Sequence, residues 1–101
     1  ATMGAVFRVA VAETDLDGLR ALQAEGLRIY GAALRAGCRD VRALDLHGTA
    51  VAIGSEGHGL SQALLDLCDG HVIIPMRPEC ESLNAAVAAS VLMWEMNRQR
   101  L

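Results

Sequence analysis

Hydrophobic and polar positions divide the chain into short alternating blocks. "FRVAV" (7–11), "LRIYGAAL" (27–34), "TAVAIG" (49–54) and "HVIIP" (71–75) are compact apolar runs rich in β-branched residues, and each predicts a strand. Apart from a polar residue near the start of each they are apolar, with no in–out alternation, so both faces of the sheet they form must be covered. The blocks between them have helical spacing. In "TDLDGLRALQAEG" (14–26), Leu16, Leu19 and Leu22 make one apolar stripe, Thr14 and Asp17 have capping-box spacing, and Gly26 stands where a helix ends in a left-handed residue. "LSQALLDLCDG" (60–70) predicts a second short helix closed by glycine, and a last helix is expected from Ser82 to Arg98. Residues 35–49 carry no clear period, with Gly37 and Gly48 marking turns. Strand and helix alternate, which predicts an α/β fold: a parallel sheet with helices on both faces and right-handed crossovers. Ligands of such sheets bind beyond the carboxyl ends of the strands.

The last helix departs from an ordinary amphipathic pattern. From Leu83 to Met96 the only polar side chains are Asn84, Ser90 and Glu95. A helix apolar on nearly every side must be covered on nearly every side. Either it is central to the core, or Met93, Trp94 and Met96 meet a partner chain.

Length and composition narrow the class. At 101 residues the chain suits one domain, and with only Phe7, Tyr30 and Trp94 aromatic its core must be aliphatic. A net charge of −3 does not advertise a nucleic-acid binder, although all nine basic residues are arginine. Cys38, Cys68 and Cys80, and the three histidines, lack the spacing of a disulfide framework or a metal site, so no metal is expected. The cysteine usage fits a reducing, cytoplasmic setting, and no apolar run is long enough to span a bilayer.

Two turns fall at the expected ligand edge: "GSEGHG" (54–59) after the third strand and "PMRPECESLN" (75–84) after the fourth. Three glycines in six residues exceed what a turn needs and suggest close approach of main chain to another segment or a ligand. The turn has neither the lysine of a phosphate loop nor the GxGxxG spacing of a dinucleotide fold. Taken together, "IGSEGHGLS" (53–61), "VIIPM" (72–76) and "ESLNAAVAAS" (81–90) resemble the second and third motifs of the SpoU-type RNA 2′-O-ribose methyltransferases of the SPOUT superfamily. The opening "ATMGAVFRVAVAE" resembles the stretch that follows that family's first motif, so residues 1–101 are expected to be the C-terminal portion of such a methyltransferase domain, cut inside it.

The resemblance implies a C-terminal trefoil knot, a homodimer through the last helix, S-adenosylmethionine as cofactor and ribosomal or transfer RNA as partner. It implies a cofactor pocket built by Gly54, Ile74 and Leu83, with main chain near Glu56 and Met76; Leu34 is added from its place at the sheet edge. Glu56, Ser82 and Asn84 match the functional carboxylate and "SLN" of the family. Ser82 is also placed to cap the last helix. Arg77, Arg98 and Arg100 either touch RNA phosphate or only solubilise. Because the first motif, with its activating arginine, is not in this stretch, the chain alone is expected to be inactive. The alternative is a non-catalytic dimerising or ligand-binding module.

Overall fold

The computed structural model describes residues 9–55, 58–76 and 84–100. Four strands, β1 (Arg28–Ala32), β2 (Arg39–Asp40), β3 (Thr49–Ala52) and β4 (Gly70–Ile73), form one parallel sheet in the order β2-β4-β1-β3. Three α-helices accompany them, α1 (Leu16–Ala24), α2 (Gln62–Leu67) and α3 (Ala85–Arg98), with a 3₁₀ turn at Val41–Ala43. β1 is central, with Tyr30 level with Val51 on one side and Gly70 on the other. β4 lies between β1 and β2, two strands that are consecutive in the chain.

The strand expected at 7–11 is not found where it can be judged. Residues 9–11 join no strand, and Val9 and Val11 stand 63% and 74% exposed. Strand propensity measures how well a side chain fits a pleated, half-buried surface, and both flanks of β1 are already taken by β3 and β4. β2 was hidden for the opposite reason: Arg39 and Asp40 are charged, and the strand is held by its ladder to Val72 and Ile73 rather than by apolar burial.

The helix ends also shift. The N-cap of α1 is Asp15, whose carboxylate accepts the Gly18 N–H at 2.8 Å, not Thr14; Asp17 pairs instead with Arg20. At the other end Gly26 has φ +107°, and the Gly26 and Leu27 N–H groups return to the Gln23 and Leu22 carbonyls, the double closure that a left-handed glycine permits. α2 stops at Leu67, and Gly70 is not its terminator but the first residue of β4. Between them Asp69 acts as a staple. Its N–H bonds the Ile29 carbonyl, its carboxylate accepts the Ile29 N–H at 2.7 Å, and Gln23 donates to both Asp69 and the Leu67 carbonyl.

The sheet is covered on both faces. A Cβ at Gly31 would lie 3.1 Å from the Cys68 sulfur and 3.2 Å from the Leu60 side chain, residues that flank α2, which places α2 on one face. Side chains alternate along a strand, and the other face, with Tyr30, Ala32, Val51 and Val72, packs on Val41, Leu44, Leu46 and Leu92. Of the residues that α3 was expected to offer a partner, Met96 packs on this core, whereas Met93 and Trp94 are exposed.

The far end of α3 is tied down by hydrogen bonds. Gln99 donates to the Leu44 carbonyl (2.9 Å) and accepts the Leu46 N–H (2.8 Å), so one amide side chain completes two main-chain groups as a strand would. Beside it Glu95, buried on α3, is held by the Arg98 guanidinium. That bond keeps the Glu95 carboxyl below the usual glutamate range although burial pushes it upward.

Two outcomes follow from these contacts. Gln99→Ala leaves both main-chain groups of 44–46 without their partner and is expected to lower the unfolding free energy by about 1–3 kcal/mol in urea titration; a loss within about 0.5 kcal/mol, as for ordinary surface changes, would contradict this. A carboxyl lowered in the folded state stabilises above its unfolded value and loses that contribution as pH falls through the folded value. Thermal melts taken downward from about pH 4.3 should therefore fall less steeply for Glu95→Gln than for the unaltered protein; equal slopes would count against the pairing.

Candidate functional site

The carboxyl edge of the sheet gathers three connections. β3 leads into the glycine turn, β1 into residues 33–38, and β4 into 74–76. The glycine turn is pinched shut at its base: Ser55 and Gly59 form an antiparallel bridge, with the Gly59 N–H on the Ser55 carbonyl at 2.9 Å. Gly59 takes φ +65°, a conformation side chains resist. Gly54 is needed for a different reason. A Cβ there would lie 2.6 Å from both the Gly59 Cα and the Leu60 nitrogen, which are main chain and cannot swing aside. The turn then runs into α2, whose N-cap Ser61 accepts the Leu64 N–H at 3.2 Å.

Beside this turn, Ala33 extends the β1 ladder by donating to the Val72 carbonyl. Leu34, two residues past the strand, is 84% exposed. Ile74 is half-buried against the core, Pro75 is exposed, and Met76 is 42% exposed. α3 is capped by Asn84, whose side-chain oxygen accepts the Val87 N–H at 2.9 Å. The cap of the last helix is thus Asn84, two residues inside the expected start at Ser82. Arg35 reaches Asp66 of α2 at 3.8 Å. Burial pushes the Cys68 thiol up. Among the described residues no group of three His, Cys, Asp or Glu could hold a metal ion, and no helix is long and apolar enough to cross a membrane.

Residues 1–94 match the model of the SpoU rRNA Methylase family. The chain belongs to that family. It is 43% identical over 86 residues to a tRNA (guanosine(18)-2′-O)-methyltransferase of Thermus thermophilus, a match covering 84% of this chain and 44% of that one. An AdoMet-bound rRNA methyltransferase from Sinorhizobium meliloti superposes with a TM-score of 0.87 at 30% identity, over 99% of this chain and 39% of that one. The SpoU methyltransferase AviRb of Streptomyces viridochromogenes, solved in complex with AdoMet, gives a TM-score of 0.73 at 40% identity, over 84% and 34%. The chain therefore spans less than half the length of these SpoU relatives.

Of the expected site residues, Leu34, Gly54, Ile74 and Met76 all come from the carboxyl edge, and Asn84 opens the helix that follows it. Glu56, Ser82 and Leu83 lie outside the described residues, as does Arg77. The Arg35–Asp66 contact was missed from sequence, because it joins a stretch without periodicity to the outer side of α2; only the unusual density of arginine in 35–42 hinted at it.

Gly54 and Leu34 should respond oppositely to substitution. Gly54→Ala forces main chain apart and is expected to cost about 1–3 kcal/mol of stability. Leu34→Ala, at an exposed position, should change stability by less than about 0.5 kcal/mol. Denaturant unfolding of the two variants checks this, and a neutral Gly54→Ala would mean that the turn is not closed as described.

Proposed function

We propose that this chain is the cofactor-holding part of an enzyme that transfers a methyl group from S-adenosylmethionine to the 2′-hydroxyl of a ribose in transfer or ribosomal RNA. The observation that carries the reading is the Gly54 contact: main chain packs directly on main chain in a closed turn at the carboxyl edge, with exposed Leu34 and Met76 and half-buried Ile74 on the neighbouring connections. Such a surface fits a ligand with a flat apolar ring and polar edges, since main-chain N–H and C=O groups can meet the edges while Ile74, Met76 and Leu34 meet the faces. The residues present therefore suit the adenosine half of the cofactor, and Leu83 joins them by its place in the motif.

When bound, the cofactor supplies an electrophilic methyl on a sulfonium centre. The chain's own work is to hold the ribose hydroxyl in line and help it shed a proton. Glu56, Ser82 and Asn84 are the residues proposed for this. Asn84 is fixed through its oxygen by the Val87 N–H, which leaves its two amide N–H donors outside that bond. The group that activates the hydroxyl is expected from the part of the protein that precedes this stretch.

Two larger features belong to the same reading. The order β2-β4-β1-β3, in which β4 lies between two strands joined by residues 33–38, supports a trefoil knot. Val87, Val91 and Trp94 recur at helical spacing on the exposed side of α3, beside Met93, which supports a homodimer through that helix. A cytoplasmic location accords with an RNA substrate.

The test is methyl transfer by the full-length protein from labelled S-adenosylmethionine to unmodified tRNA and rRNA transcripts, with the product nucleoside identified by mass spectrometry. A 2′-O-methylnucleoside from the full protein, and none from residues 1–101 alone, is expected. Cofactor binding with no RNA product from the full protein would favour the non-catalytic module instead.

A further inference from the structure

The chain is acidic overall, yet positive charge gathers on one stretch: Arg35, Arg39 and Arg42 stand within eight residues that hold a single acid, Asp40. The fold puts this stretch in a particular place. Residues 33–38 leave the carboxyl end of β1 and cross past β4 to reach β2, so the stretch forms a strap beside the ends of β1 and β4. In the sheet register Ala32, Val72 and Arg39 stand level, which sets Arg39 two strand spacings, about 10 Å, from the end of β1.

The three arginines are not equally engaged. Arg42 is committed, with its Nε at 3.0 and 3.2 Å from the two Asp40 oxygens, and that bond holds the Asp40 carboxyl below its ordinary range. Arg35 is half exposed and only 3.8 Å from Asp66, whose same oxygen already accepts the Gln62 amide at 2.7 Å. Arg39 is exposed, and its contact among the described residues is the Ala43 carbonyl at 3.4 Å. One cation is thus neutralised within the strap, while one loosely held guanidinium remains at each end of the crossing.

We infer that Arg35 and Arg39 contact RNA phosphates and hold the strand that flanks the methyl acceptor. This rests on the methyltransferase reading of the same edge. The acceptor ribose must approach the carboxyl edge to meet the methyl group, and the strap borders that approach. A guanidinium fork matches a phosphate oxygen pair, and a weak ion pair costs little to exchange for it. The bulk charge of −3 concealed this, because acids elsewhere outnumber the cations gathered here.

The experiment measures binding of the full-length protein to an unmodified tRNA transcript and to an rRNA fragment across a salt series, by fluorescence anisotropy. Each of Arg35→Ala and Arg39→Ala should reduce the slope of log K against log salt by about 1, and the double variant by about twice that. Arg35→Lys and Arg39→Lys keep the charge and should keep the slope, which separates a phosphate contact from a packing defect. Arg20→Ala, on α1 and paired with Asp17, is the control and should leave the slope unchanged. If the full protein methylates RNA while the double alanine variant keeps the unaltered slope, this inference fails and the methyltransferase reading stands. If the protein neither binds nor methylates RNA, the methyltransferase reading itself fails. A slope lost equally in the lysine variants would reduce both arginines to structural roles and overturn the inference.

Discussion

Gly54 and the Gly59–Leu60 main chain meet with no side chain between them, and the form of the candidate site depends on that contact. It closes the turn after β3 on itself, just ahead of the Ser61 cap of α2. A single methyl group at position 54 has nowhere to go, since its neighbours are backbone atoms of a turn already bridged at Ser55 and Gly59. Rigidity at this point comes from lack of bulk, not from added interactions.

Around that turn the sheet order does the positioning. With β4 set between β1 and β2, the ends of β1 and β4 lie side by side, so Leu34 and residues 74–76 share one edge although 40 residues of sequence separate them. Both helix layers keep this arrangement in place. α2 packs over Gly31 on one face, while α3 covers the aliphatic core on the other and is held at its far end by Gln99 on residues 44–46. The site is thus built at one end of α3 and secured at the other. Membership of the SpoU rRNA Methylase family gives this geometry its chemical context, and solved members that carry AdoMet share the fold.

Much of this was legible in the sequence where a physical signal is local. Apolar runs without alternation announced β1, β3, β4 and a covered parallel sheet; three glycines in 54–59 announced close main-chain approach. Gly26 announced the end of α1 because only one backbone conformation suits that position. Signals failed where the deciding partner is distant. β2 consists of two charged residues and exists only because Val72 and Ile73 are beside it. Val9 and Val11 have the composition of a strand but join no neighbour. Asp69 and Gln99 replace main-chain ladder bonds with side-chain ones, a role no spacing rule encodes. The strap arginines were hidden by summing charge over a chain that segregates it.

The most direct measurement of the central claim is the amide NMR response of the full-length protein to S-adenosylhomocysteine, the demethylated cofactor. Ligand seated at these turns should shift the amides of residues 54–60, Ile74 and Met76 most, together with those around Leu34, and leave α1 and residues 44–48 nearly still. Saturation of the protein with shifts concentrated away from those turns would contradict the account.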